Sequence, residues 1–553
     1  MMDKLLEMSP AALGMMQGYV ALVLLGLSLV ALPRAYLRVF EVWRPATPLE
    51  KRLLGAAIAA AAVLRWFVAP LWIVTMFIGY HLTEQAIDLL PVSHYGVGSS
   101  AFYHALFAIL PRDHRSLLWA NSVVGVLTIP FYATYAARMT NDRRVGAIFA
   151  WLVALVPLFV KNDNSDANHV PLLWWLFGGL VLWDEALETG RRASLAAAMA
   201  LFALATLARP EMPLLLPLLV AITTFARGWG EHRMLRTKVF EALALLFALA
   251  VLPQVLHVLR ASLELKSRSS LNGLGLSRFL LAPALLLTND TVLRPRLFPI
   301  ALLPFALHPL LDRRPEGRRR PAALGMAAIV SLVVYMVDLC EANMARVQVP
   351  GALFVTMLAA LGLSRAYDRV RAPAYRAAAA VLLVGTAMPS VSRLWAPTNE
   401  QAEEELIREA VARLPGDEPF TLVRMGWDDR DPEKTREFTH YYFPDYLIER
   451  PARKGRAISV AAWEQRPRFD VPAYFFAGVR CYASMRNEGT PPPPGDNQQR
   501  PCARMDEQFV LEPVFEREIP NRGDVWLEYY GDAPTLRVGL YRIRPRVGVA
   551  SAR

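Results

Sequence analysis

The sequence predicts an α-helical polytopic membrane protein with a C-terminal α+β domain, and three observations carry that expectation. Of 553 residues, 54% are hydrophobic and the mean hydropathy is positive, which is more apolar than a fully water-facing surface allows. Apolar runs of roughly 18 to 25 residues, each able to cross about 30 Å of hydrocarbon, recur from Ala11 to about Ser390. Arginine clusters occupy every second connection between those runs.

About twelve transmembrane helices are expected, beginning near Ala11, Leu53, Leu117, Val145, Val170, Ser194, Met212, Val239, Leu297, Pro321, Val347 and Ala377. The run from Phe279 to Thr288 is too short to span and is expected in the membrane interface. The first run follows Asp3, Lys4 and Glu7, with neither a positively charged leader nor a small-x-small cleavage site, so it reads as an anchor. Arg34, Arg38 and Arg44, then Arg138, Arg143 and Arg144, then Arg191 and Arg192, then Arg227, Arg233 and Arg236 mark connections retained in the cytoplasm. Arg313 to Arg320 and Arg365 to Arg376 continue the alternation, which places the N-terminus and everything after the last span outside the cytoplasm. The formal charge of +11 is thereby explained by topology and by membrane lipid headgroups, and no nucleic-acid partner is expected.

Beyond Val391 the apolar runs stop. Three parts are read: an anchor span with its basic loop over 1–52, a membrane domain over 53–390, and an extracytoplasmic soluble domain over 391–553. In the last, acids early in Glu400 to Leu414 and the stop at Pro415-Gly416 predict a helix, while Phe420 to Met425 and Leu536 to Ile543 alternate like strands. Cys481 and Cys502 flank the four prolines Pro491 to Pro494. A disulfide between them would contribute roughly 3 kcal/mol in an oxidising compartment, two free thiols being the alternative. Cys340, inside a span, is expected to be structural.

No Walker lysine motif, no Gly-x-Gly-x-x-Gly and no paired zinc pattern is present. Polar residues at span ends carry the remaining information, because ionisable groups near hydrocarbon are costly. One cluster holds Glu84, Asp88 and His94. A second is the loop Lys161 to His169, with Asp163 and Asp166. A third is Glu341 to Arg346. By the alternation of basic loops all three share one face. Taken singly, each also reads as a solvated span end.

The order of features over Leu53 to Ser390 resembles the membrane-embedded glycosyltransferases of the C type, which draw sugars from polyprenyl-phosphate carriers. Val63-Leu64-Arg65-Trp66 leads to Thr83-Glu84, where the family has an acidic pair and this chain a single glutamate. His94-Tyr95-Gly96-Val97 precedes an amphipathic stretch from Ala101 to Leu110. Ala208-Arg209-Pro210-Glu211 is similar to the family's Thr-Arg-Pro-Glu, and Arg346-Val347-Gln348-Val349-Pro350 to its Arg-Tyr-x-x-Pro.

The resemblance implies an inverting transferase moving a sugar from a polyprenyl-phosphate donor to a lipid, glycan or protein acceptor, in a bacterial-type inner membrane. Glu84 would orient or deprotonate the acceptor, with Asp163 or Asp166 as second carboxylate and Asp88 behind them. Arg346, and after it Arg209 beside Glu211, would hold the leaving phosphate as fixed bidentate cations. His94 and His169 are candidate ligands of a divalent cation, Mg or Mn, although no compact ligand spacing is visible. A lipid or glycan transporter or flippase, or a non-catalytic glycan-binding relative, is the alternative reading.

Overall fold

The computed structural model describes residues 10–71, 76–89, 96–209, 211–228, 233–266, 298–311, 319–339, 349–370, 372–374, 380–381, 391–392, 395, 399–424, 443–449, 454–459, 469–482, 484–485, 499–522, 528–529 and 533–545. Two compact units divide the chain: 1–71 with 85–395, and 72–84 with 396–553.

Among the described residues the first unit is helical. Its helices are α1 (Pro10–Trp43), α2 (Pro48–Val63), α3 (Met76–Asp88, which crosses the division between the units), α4 (Val97–Leu106), α5 (His114–Thr140), α6 (Arg143–Leu155) and α7 (Pro157–Asp163). They are followed by α8 (His169–Thr189), α9 (Arg192–Ala208), α10 (Met212–Arg227), α11 (Lys238–Lys266), α12 (Leu302–Leu311), α13 (Arg319–Leu339) and α14 (Val349–Arg369). Among the described residues five are long and apolar enough to cross a membrane, six if α6 and α7 form one broken span. The helices at Arg192–Ala208, Met212–Arg227 and Leu302–Leu311 are apolar but shorter. The run expected near Ala377 and the stretch from Phe279 to Thr288 lie outside the described residues.

Local chemistry sets the element boundaries. Thr47 and Glu50 form a reciprocal capping box at the start of α2. Asp113 caps α5 by accepting from the Ser116 amide at 2.9 Å. Asn141 and Gly190 take the left-handed conformation that ends α5 and α8. Pro157 disfavours helix at Val156, which is extended, and α7 leaves the axis of α6 by 67°. That break turns the polar end of α7 into the bundle. The chain from Tyr80 to Gly98, expected as a long loop, instead begins with α3, because Tyr80, Thr83 and Ala86 share a buried face at helical spacing.

Bundle packing is close at small residues. A Cβ on Gly146 of α6 would lie 2.4 Å from the Ala133 carbonyl of α5, and one on Gly362 of α14 only 1.9 Å from that of Phe305. Trp175, Phe131, Tyr135 and Phe149 fill the core of this unit.

The second unit contains a five-stranded sheet in the order β2-β1-β3-β7-β5, from β1 (Phe420–Arg424), β2 (Gly455–Ser459), β3 (Ala473–Ala477), β5 (Phe509–Pro520) and β7 (Thr535–Pro545). β1 runs parallel to β2 and β3, while β7 is antiparallel to β3 and β5, with a register shift between Pro513 and Phe515. A short pair, β4 (Ser484–Met485) with β6 (Glu528–Tyr529), stands apart from it. Helix α15 (Asn399–Arg413) buries Glu403, Ile407 and Ala410, spaced four and three residues apart. Glu403 accepts from the Val479 amide at 2.7 Å. Cys481 is joined to Cys502 of helix α16 (Gln499–Gln508), with Cα atoms 5.6 Å apart.

Candidate functional site

The polar loop between α7 and α8 is buried almost throughout: Asn164, Ser165 and His169 are fully enclosed and Asp166 is 1% exposed. Buried polar groups must find partners, and this loop finds them on every side. Asn121 of α5 donates to the carbonyls of Ser165, at 2.7 Å, and Ala167, at 3.2 Å, and accepts from the Tyr103 hydroxyl of α4 at 2.6 Å. Ser122 donates to Asn164 at 2.9 Å, and Asn164 donates to the Arg65 carbonyl at 2.8 Å. Ser99 of α4 donates to the Asn168 carbonyl at 3.3 Å.

Arg65 sits in a π-helical turn, Leu64–Val68, where the Ala69 amide donates to the Leu64 carbonyl. Its guanidinium is 1% exposed and donates to the Val153 and Ala154 carbonyls and to Asp163 at 2.8 Å. Asp163 thus balances a buried cation. Gly125 of α5 makes room for it, since a Cβ there would lie 2.4 Å from the carboxyl carbon of Asp163. Asp163 belongs to the scaffold that fixes the loop.

The far side of the loop meets the α9–α10 connection. Arg209 has extended backbone after α9, and Glu211 is the residue before α10. Arg209 donates through Nε to Glu211 Oε1 at 2.7 Å and through a terminal nitrogen to Asn168 Oδ1 at 3.3 Å. His169 Nε2 lies 4.0 Å from the same Glu211 oxygen. Three residues selected from sequence, Arg209, Glu211 and His169, therefore converge around one buried carboxylate. Its second oxygen, Oε2, takes no hydrogen bond among the described residues. Tyr103 faces the charge of Asp166, and burial above all, with that charge adding, holds its hydroxyl well above the ordinary tyrosine range despite the opposing Asn121 hydrogen bond.

The other sequence candidates fall elsewhere. Glu84, half-buried on α3, belongs to the second unit, and Asp88 is exposed at the end of the same helix. Arg346 and His94, like Cys340, lie outside the described residues. Sequence reading missed Asn121, Ser122 and Tyr103 as site-forming. The signal was present, because adjacent Asn and Ser inside an apolar run call for buried partners. Among the described residues no group of three or more His, Cys, Asp or Glu lies together as a metal would need. Asp163 and Glu211 are each engaged by an arginine, and His94, a candidate ligand of the expected Mg or Mn ion, lies outside the described residues.

Residues 97–257 match the dolichyl-phosphate-mannose-protein mannosyltransferase family model. That interval supplies every residue of the cluster except Arg65. No curated protein matches the chain. ArnT from Cupriavidus metallidurans, solved bound to undecaprenyl phosphate and in the apo state, aligns at 13% identity over 90% of this chain and 98% of that one, with a TM-score of 0.50. The archaeal oligosaccharyltransferase AglB from Archaeoglobus fulgidus, in complex with an inhibitory peptide and a dolichol-phosphate, aligns at 15% identity over 68% of this chain, with a TM-score of 0.40. This chain spans 62% of the length of that structure. Residues 97–257 thus match the mannosyltransferase family model, and the chain shares its fold with ArnT.

Proposed function

We propose that the chain is an inverting glycosyltransferase that moves a sugar from a polyprenyl-phosphate donor to an extracytoplasmic acceptor. The observation that carries this reading is that the family match over 97–257 contains Asp166, His169, Arg209 and Glu211, which form a buried polar cluster at one end of an apolar bundle. A lipid-linked donor offers an anionic phosphate and a sugar rich in hydroxyls. Glu211 Oε2 is an acceptor suited to such a hydroxyl.

In this reading Glu84 is the base for the acceptor and Asp166 the second carboxylate. Arg346 holds the departing phosphate, and Arg209, already tied to Glu211, positions the cluster. Undecaprenyl phosphate, bound by ArnT, stands for the carrier class. The arginine-rich helix ends mark the cytoplasmic side of a bacterial-type inner membrane crossed about twelve times, and the disulfide suits an oxidising compartment for the second unit.

The test is turnover in lipid with a panel of polyprenyl-phosphate sugars, read as release of free polyprenyl phosphate. Glu84→Gln and Asp166→Asn should each lower the rate by about a hundredfold or more, and Arg346→Ala should weaken donor use. Donor binding without turnover in the wild type would favour a glycan-binding relative. Transbilayer movement of an intact donor would favour a flippase. Either result sinks the enzyme reading.

A further inference from the structure

The opposite ends of the same helices carry a second charged centre that the reaction leaves unused. Asp184 of α8 is buried, and its two carboxylate oxygens serve two guanidiniums: Arg138 Nε at 2.7 Å and Arg227 Nε at 2.5 Å. The neighbouring acids are shared in the same way. Glu188 pairs with Arg38 and Arg138, and Glu185 with Arg34 and Arg191. Each acid here already answers two arginines.

Helix α13 then adds further positive charge. Arg319 donates to the Phe225 carbonyl of α10 at 2.6 Å and lies 5.1 Å above the Phe225 ring, which clamps the start of α13 to the end of α10. The clamp sets Arg320 among Arg227, Arg138 and Arg319. Arg320 is half-buried and, among the described residues, has no ion pair or hydrogen bond. Burial first, then Arg227 and Arg138, press its guanidinium below the ordinary arginine range, with only Asp184 opposing. A guanidinium stays charged under all working conditions, so a half-buried one facing like charges calls for an anion. Arg227 is attached to Asp184 through Nε, and its terminal nitrogens make no hydrogen bond among the described residues. Guanidinium forks of this kind match phosphate oxygens bidentately.

We propose that Arg138, Arg227 and Arg320 form a binding site for a phosphate group at the arginine-rich end of the bundle, taking an anionic phospholipid headgroup or free phosphate. Asp184 is the positioning residue that holds two of the three guanidiniums side by side.

The experiment uses the full-length protein in neutral detergent, with thermal midpoint and ligand titration as readouts. The probes are inorganic phosphate, sodium chloride at matched ionic strength, and mixed micelles of phosphatidylglycerol or phosphatidylcholine. Stabilisation by phosphate and by phosphatidylglycerol, but not by chloride or phosphatidylcholine, is expected. Arg320→Gln removes no ion pair among the described residues and should weaken the response about tenfold or more. Arg320→Lys, which keeps charge without the fork, should fall between, and Arg192→Gln, an exposed control, should match wild type. A response to phosphatidylglycerol alone identifies the lipid as the source, and a response to both identifies the phosphate itself. Equal stabilisation by chloride, or an undiminished response in Arg320→Gln, overturns the site.

Discussion

Asp163 and Asp166 are three residues apart, and the first is paired with an arginine. Asp163 lies on Arg65, 98 positions away and buried with it, so removing one partner strands a charge in a low-dielectric interior. Asp163→Ala should therefore lower unfolding stability by roughly 3–5 kcal/mol, while the paired change Arg65→Met with Asp163→Leu should recover most of that loss. Denaturation in detergent measures both. An Asp163→Asn variant that keeps wild-type stability yet loses turnover would instead make it a reacting carboxylate. Sequence alone identified this loop as unusual but assigned its acids no partner, because an ion pair between Arg65 and Asp163 is written in tertiary contact and leaves no local spacing. The same limit hid Asn121, whose amide bridges the Tyr103 hydroxyl and the loop carbonyls.

Single elements were more legible, since caps and breakers act locally. The helix expected over Glu400 to Leu414 is Asn399–Arg413, and the strand expected over Phe420 to Met425 is Phe420–Arg424. Pro157 similarly announces the 67° break that aims α7 inward. What the pattern did not reveal was α3, whose mix of His, Thr, Glu and Gln reads as a loop until its buried face is known. In the second unit, the Cys481–Cys502 bond links positions 21 apart in sequence. Replacing both cysteines by serine should lower that unit's stability by roughly 3 kcal/mol, seen as a lower thermal midpoint that reductant no longer changes. Tyr541 on β7 donates to Glu516 of β5 at 2.5 Å, and burial first, then that carboxylate, raise its hydroxyl above the ordinary range. A raised folded value means stability is fully present below about pH 10 and is lost as pH climbs toward the folded value. Tyr541→Phe should flatten that alkaline loss in a pH titration of unfolding.

At the scale of the whole molecule the organising fact is the separation of two kinds of helix end. In α8 the buried His169 begins the helix and Asp184, Glu185 and Glu188 lie in its last turns, so about 22 Å of apolar helix separates His169 from Asp184. Arginines answer acids at both ends, singly at Asp163 and Glu211 and in pairs at Asp184, Glu185 and Glu188, and Arg144 with Asp368, at 2.5 Å, ties α6 and α14 into the same layer. Retention of arginine in the cytoplasm predicts which way the bundle is oriented. On the expected twelve spans, an odd number of apolar runs separates Ala193 from Asp417, which predicts opposite sides of the membrane for the two positions. Cysteines introduced as Ala193→Cys and Asp417→Cys are both at exposed positions. A membrane-impermeant maleimide applied to intact cells should label Asp417→Cys at once and Ala193→Cys only after the membrane is opened. Labelling of both from outside would break the parity of the spans. Labelling of Ala193→Cys alone would invert the molecule, and with it the side on which a lipid-linked donor would be consumed.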